Sequence, residues 1–185
     1  TGTTCLLGIP RVFEVLLDSI RQGYHNAGPA GRMLWTLHRG LSAAALRAGR
    51  PQLARRVFRT VHDKLGGQLR LLVSGGAALD PRIHRDYTLM GFRVSEGYGL
   101  TETAPVLTVN PLENSKRGSV GRALPCVRLR ILNPDASGVG EIVARGPNVF
   151  KGYYGNPKAT AKAFRDGWFL TGDLDRPKQF RIPDG

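Results

Sequence analysis

Tyr98-Gly99-Leu100-Thr101-Glu102-Thr103 places an aromatic ring, a hydroxyl and a carboxylate close together around a glycine. The tyrosine offers a face to a nucleobase or a hydroxyl to a hydrogen bond. Thr101 can cap a short helix while its hydroxyl meets an anionic oxygen. Glu102 is a hard oxygen ligand able to hold Mg²⁺ against phosphates. Further along, Trp168-Phe169-Leu170-Thr171-Gly172-Asp173 brings a carboxylate out of a strand through a glycine turn. There it can accept two hydrogen bonds from a ribose diol, as acidic residues do in other nucleotide sites. Each residue also has a plain role: Tyr98 packs, Thr101 caps, Asp173 closes a loop.

These residues need elements to hold them. Leu69–Val73 reads as a short buried strand, and Ser74-Gly75-Gly76-Ala77-Ala78 as a small-residue loop. Asp80 is an N-cap before a first-turn proline, and Ile83, Tyr87 and Met90 form the apolar face of the helix that follows. Phe92–Glu96 is the next strand, ahead of the glycine loop Gly97-Tyr98-Gly99. Strand, helix, strand at this spacing is a parallel βαβ unit with a right-handed crossover. Both strands then end on one sheet edge, so the loops Ser74–Ala78 and Gly97–Thr103 are expected side by side, where open α/β sheets bind ligands. Glycines let a ligand approach the backbone closely, although taken alone such loops also serve as tight turns.

Before this unit lie three helical patterns. Pro10 opens the first, with Val12, Leu16 and Ile20 on its apolar face and Gly23 as its stop. Leu34, Leu37, Leu41 and Ala45 mark the second, after a loop at Tyr24–Gly31. Pro51 opens the third, with Leu53, Val57, Val61 and Leu65 inward, and Arg55, Arg56 and Arg59 on a solvated face. After about Lys116 the texture changes. Val127–Leu132, Gly140–Ala144 and Trp168–Thr171 read as short strands of an antiparallel sheet or barrel. The expected fold is α/β: a parallel βαβ portion over 1–114, a small antiparallel β subdomain over 115–176, and a tail at 177–185.

Composition bounds the function. The chain has 185 residues, 41% hydrophobic, enough for a core. No apolar run is long enough for a membrane span, and no cleavable leader is expected. Two cysteines, Cys5 and Cys126, exclude a disulfide scaffold and fit a reducing, cytoplasmic setting. His25, His38, His62 and His84 show no metal spacing. The net charge is +13, of which residues 1–70 supply +8 from 11 basic and 3 acidic side chains. Such a balance suits nucleic acid, anionic lipid or a phosphorylated substrate. Little aromatic interleaving accompanies the arginines, which disfavours single-stranded nucleic acid.

Four stretches, in order, resemble the long-chain fatty acyl-CoA synthetases of the adenylate-forming superfamily. These are Ile9-Pro10-Arg11-Val12-Phe13-Glu14, Ser74-Gly75-Gly76-Ala77, Gly97-Tyr98-Gly99-Leu100-Thr101-Glu102-Thr103, and the late group Gly140–Gly146, Gly152-Tyr153-Tyr154 and Thr171-Gly172-Asp173. The similarity covers roughly residues 5–174. It implies activation of a fatty acid with ATP to an acyl-adenylate, then transfer to coenzyme A. By match, Tyr98 stacks near adenine, Thr101 contacts the α-phosphate, Glu102 holds Mg²⁺ and Asp173 binds the ribose. Gly75, Gly76 and Ala77 line the adenine and acyl pocket, Gly97 borders the acyl group, and Gly99 belongs to the nucleotide signature. Fatty acid, ATP and coenzyme A are the implied partners, with peripheral contact to a membrane surface and no nucleic acid. Nothing in the residues specifies an oligomeric state.

The chain also departs from that pattern. Thr1-Gly2-Thr3-Thr4 is followed by Cys5-Leu6-Leu7 rather than by the Pro-Lys-Gly of a phosphate loop, and no other such loop is present. Lys178 lies too early for the family's late catalytic lysine, and Lys151 and Lys162 read as surface residues. The expectation is a partial large domain, inactive by itself in forming acyl-CoA from ATP, palmitate and coenzyme A. Two alternatives stand beside it: an adenylate-forming ligase for another carboxylic acid, and a non-catalytic basic module for nucleic acid or anionic lipid.

Overall fold

The computed structural model describes residues 2–113, 115–175 and 180–181. Lys178 and most of the predicted tail lie outside the described residues. The chain is mixed α/β and divides into two compact units, Thr1–Ser95 and Glu96–Gly185. The change of texture near Lys116 falls inside the second.

The first unit begins with β1 (Cys5–Gly8), which the sequence reading missed; four residues are too few to show a period. It pairs in parallel with β2 (Leu71–Ser74), Leu6 opposite Leu72. Between them run α1 (Pro10–His25), α2 (Gly28–Arg47), α3 (Pro51–Val57) and α4 (Arg59–Lys64). Helix α1 passes through Gly23, because one glycine costs a helix only about 1 kcal/mol. The loop expected at Tyr24–Gly31 shrinks to a turn at Asn26–Ala27. The third pattern breaks at Phe58, which is buried in the core.

Two helix faces differ from expectation. On α1 the buried residues are Phe13 and Leu17, while Val12 is exposed. On α2 the expected core leucines Leu34, Leu37 and Leu41 are exposed. The side of α2 that packs carries Gly31, Trp35, His38 and Ser42 instead. A Cβ on Gly31 would run into the Tyr24 carbonyl, so α2 meets the end of α1 at backbone distance. Tyr24 Oη and His38 Nδ1 share a 3.0 Å hydrogen bond, and the Ser42 hydroxyl donates to the Leu89 carbonyl. Arg55 also leaves its predicted place: it donates to the carbonyls of Leu69 (2.9 Å) and Gly67 (2.7 Å), fixing the approach to β2.

Helix α5 (Pro81–Leu89) follows its sequence pattern. Asp80 accepts from the Arg82 amide at 2.7 Å, and Ile83 and Tyr87 are buried. Tyr87 donates to the Phe13 carbonyl at 2.7 Å inside an aromatic core with Phe58 and Phe92. Strand β3 (Arg93–Tyr98) completes the βαβ sequence; its first amide bonds the Arg70 carbonyl at 2.9 Å, and its last residues belong to the second unit.

In the second unit, the end of β3 pairs antiparallel with β4 (Thr108–Val109), and β4 with β5 (Gly121–Ala123). A separate curled antiparallel sheet follows: β6 (Arg128–Leu132), β7 (Gly140–Arg145), β8 (Phe164–Arg165) and β9 (Trp168–Asp175), in the order β6-β7-β9-β8. Helix α6 (Pro157–Ala163) leads into β8, capped by Asn156, whose side chain accepts from the Ala159 amide at 3.0 Å. The short β10 (Phe180–Arg181) lies parallel to β5. Leu107, Val127, Leu129, Ile142 and Phe169 form this unit's core.

Candidate active site

Strand β3 carries Gly97 and Tyr98 as paired strand residues, Gly97 opposite Val109 and Tyr98 opposite Thr108, rather than as a loop. The chain leaves the sheet at Gly99. A side chain there would collide with the Pro105 carbonyl oxygen and come within 2.8 Å of Val106 Cα, so only glycine lets the returning segment close on the strand. Leu100 then opens a single 3₁₀ turn, Thr101–Thr103. The capping hydroxyl is that of Thr103, not Thr101: Thr103 Oγ1 accepts from the Leu100 amide and donates to the Leu100 carbonyl, both at 2.9 Å. Thr101 is left exposed, its hydroxyl unspent on the turn.

This turn is clamped from a distant part of the chain. Asn148 donates to the carbonyls of Thr103 (2.8 Å) and Val106 (2.9 Å), and the Phe150 amide donates to the Glu102 carbonyl at 2.7 Å. Tyr153 completes the clamp: its hydroxyl donates to Glu102 Oε1 at 2.9 Å, with its ring edge-on to Phe150 at 4.8 Å. That hydrogen bond, more than burial, raises the Tyr153 phenol above its ordinary pKa and keeps it a donor at neutral pH. One Glu102 oxygen is thereby oriented, and among the described residues the second has no such partner. The sequence reading gave Tyr153 no role. Its signal was the Gly152-Tyr153-Tyr154 segment, whose partner cannot be named before folding.

Asp173 does not follow a turn after a strand; it lies within β9. Glu141 pairs with Leu174 and Val143 with Leu170, so Thr171, Gly172 and Asp173 together face the single residue Ile142. This is a β-bulge, and it re-aims the bulged side chains. Gly172 takes φ +76°, the left-handed conformation glycine tolerates best. Thr171 Oγ1 donates to the Ile142 carbonyl at 2.7 Å, and the Gly172 amide donates to Glu141 Oε1 at 3.0 Å.

The bulge presents Asp173 to the end of β3. Tyr98 Oη donates to Asp173 Oδ2 at 2.7 Å across 75 residues of sequence. Burial foremost pushes the Tyr98 phenol well above its ordinary pKa; the Thr171 hydrogen bond opposes this, and Asp173 and Asp175 add to it. The phenol is therefore a fixed donor, and the exposed carboxylate keeps further lone pairs for a ligand. Thus Tyr98, Thr101, Glu102 and Asp173 belong to one unit, where two hydrogen-bonded pairs, Tyr98–Asp173 and Tyr153–Glu102, have their tyrosines on β3 and in the segment before α6. Gly75, Gly76 and Ala77 belong to the first unit, where the Gly75 amide bonds the Gly8 carbonyl at 3.2 Å and Gly76 takes φ +82°. Lys151 and Lys162 are exposed.

Replacing Gly99 with alanine should displace the turn bearing Thr101 and Glu102. The expected result is an overpacking loss of about 1–3 kcal/mol in urea unfolding together with at least a tenfold weaker affinity for AMP by calorimetry. Unchanged AMP affinity would show that this turn does not meet the nucleotide.

A family model described as AMP-binding enzyme matches residues 1–154. The chain is 38% identical over 182 residues to the long-chain-fatty-acid–CoA ligase FadD15 of Mycobacterium bovis, covering 92% of this chain and 29% of that protein. It is 37% identical over 193 residues to long chain acyl-CoA synthetase 1 of Arabidopsis thaliana, with 92% and 28% covered. Among solved structures, apo MatB from Rhodopseudomonas palustris superimposes with a TM-score of 0.64 at 32% identity, over 94% of this chain and 28% of that one. A malonyl-CoA ligase complex with methylmalonyl-CoA and AMP gives 0.59 at 34% identity, over 96% and 32%. The chain thus spans under a third of the length of these relatives. With the family model covering most of its residues, this chain belongs to the AMP-binding enzymes.

Proposed function

We propose that the chain is the nucleotide-gripping part of a long-chain fatty acid–CoA ligase. In the reaction of such a ligase, an oxygen of the fatty carboxylate attacks the α-phosphorus of ATP and the bond to pyrophosphate breaks, giving acyl-AMP. The thiol of coenzyme A then attacks the acyl carbonyl carbon, and AMP leaves. This chain's residues would bind and orient. Asp173, held by Tyr98, accepts the ribose hydroxyls; the Tyr98 ring borders adenine; Thr101 donates to the α-phosphate. Gly75, Gly76 and Ala77 line the adenine and acyl pocket, and Gly97 borders the acyl group.

Mg²⁺ fits the donor set. Magnesium in phosphoryl sites is held by one or two carboxylates plus substrate phosphates, and Glu102 supplies one oriented carboxylate with an oxygen to spare. Among the described residues no cluster of three or more acidic, His or Cys side chains forms a dedicated cage. The ion, when bound, would neutralise phosphate charge beside Glu102.

The observation that carries this reading is the Tyr98–Asp173 hydrogen bond, which joins two nucleotide motifs remote in sequence. The long-chain relatives support the fatty substrate, while one solved neighbour named as a malonyl-CoA ligase supports a second reading, a different carboxylic acid. One graft separates them. Residues 5–174 would replace the similar segment of the mycobacterial ligase, and ATP-dependent CoA ester formation would be followed with palmitate, malonate and benzoate. Turnover of palmitate above the others is expected. A folded chimera that activates only another acid favours the second reading, and one that activates none defeats both.

A further inference from the structure

We propose that Tyr153 is a positioning residue for the divalent cation: its hydroxyl acts through the Glu102 carboxylate and sets how much Mg²⁺ tightens the grip on ATP. The proposal rests on the nucleotide reading above and deepens it, since that reading gives Tyr153 no part. Glutamate by itself is a loose ligand. Its side chain turns about several single bonds, and that freedom is lost when an ion fixes it. A hydrogen bond made beforehand takes up part of the loss, as partners of metal ligands ordinarily do. Among the described residues no group of three or more acidic, His or Cys side chains gathers round an ion, so the orientation of this carboxylate counts for more. Tyr153 Oη donates to Glu102 Oε1 at 2.9 Å. The donor is neutral. It steadies the carboxylate without setting a second positive charge beside the cation, as lysine or arginine would.

The tyrosine is itself held from two sides. Gly152, at φ +146°, runs so close to Thr160 that a Cβ would lie 2.5 Å from Thr160 Cγ2. Thr160 Oγ1 then accepts from the Tyr153 amide at 2.9 Å and donates to the Asn156 carbonyl at 3.0 Å. The Asn156 amide in turn donates to the Tyr153 carbonyl at 3.1 Å. The backbone of Tyr153 is thereby tied to the start of α6. Its ring lies edge-on to Phe150, which stacks on Phe164 at 5.5 Å and meets Phe169 edge-on at 5.4 Å. The hydroxyl that reaches Glu102 is thus fixed to the core of the second unit, which is the rigidity a ligand-orienting group needs. Tyr154, the next residue, is fully exposed.

Calorimetric titration of ATP into the chain, with Mg²⁺ and with EDTA, tests the proposal, and metal-free AMP is titrated alongside. Salt of about 0.15 M screens the net charge of the chain. Mg²⁺ should tighten ATP binding to the unmodified chain. Tyr153→Phe removes one oxygen and keeps the contact with Phe150. It should cut the Mg²⁺ gain about tenfold, the low end for a partner of a metal ligand, because the bond is exposed to water. Metal-free AMP should bind this variant and the unmodified chain alike, which a merely structural loss would not allow. Glu102→Gln should abolish the gain, and Tyr153→Phe added to it should cost nothing further. Tyr154→Phe serves as control and should change neither titration. Thermal melts check that each variant folds. A full Mg²⁺ gain in Tyr153→Phe, equal losses with and without the ion, or additive losses in the double variant overturn the proposal and leave the nucleotide reading standing. No Mg²⁺ gain in the unmodified chain, or a gain that survives Glu102→Gln, removes Glu102 from the ion's site and overturns both.

Discussion

Asp173→Ala is expected to weaken AMP binding about 10- to 100-fold, the value of one or two hydrogen bonds to a charged acceptor, roughly 1.5–3 kcal/mol. The carboxylate is exposed at a bulge, so its removal should leave the melting temperature nearly unchanged. Tyr98→Phe should cost less, about 3- to 10-fold, because the ring stays and only the donor that orients Asp173 is lost. The control is chemical. With 2′,3′-dideoxy-AMP, which lacks the diol, wild type and Asp173→Ala should bind alike. Calorimetric titration of both nucleotides into the three proteins gives the full cycle. If Asp173→Ala weakens both nucleotides equally, the carboxylate does not read the ribose.

The second large effect lies in the first unit. Asp86 is buried, its side chain only 4% exposed, and accepts from Arg21 and Arg39 at 2.7 Å each. It thereby ties α5 to both long helices. Asp86→Ala should lower unfolding free energy by about 3 kcal/mol, the scale for breaking a buried ion pair from one side. Both arginines can still turn toward water, which keeps the loss at the low end of that range. Against a total stability of roughly 5–15 kcal/mol this is a large share. Urea unfolding followed by circular dichroism should show a lower midpoint with an unchanged slope. Arg39→Ala made on top of Asp86→Ala should then cost much less than by itself. A loss under about 0.5 kcal/mol would mean the bridge contributes nothing net.

How far the sequence revealed this molecule depends on where the deciding force was local. The Asp80 cap and the Ile83, Tyr87 face of α5 are local, and they stand where the pattern puts them. The faces of α2 are not. That helix carries apolar residues on two sides, and the choice between them was made by groups that periodicity does not weigh. A glycine admits the end of α1, a serine reaches the Leu89 carbonyl, and an arginine reaches Asp86. Strands β4 and β5, two and three residues long, offer no period to read. At the site, residue types announced nucleotide chemistry, but the bulge that aims Asp173 depends on Ile142 and Glu141, thirty residues upstream. The Tyr153–Glu102 pair likewise spans 51 residues.

The most direct measurement is a crystal structure of the chain with AMP at saturating concentration. The account predicts the ribose hydroxyls within hydrogen-bond distance of the Asp173 carboxylate, adenine beside the Tyr98 ring and the phosphate next to Thr101. AMP seated away from those three residues, in crystals where they keep the arrangement described above, would contradict it.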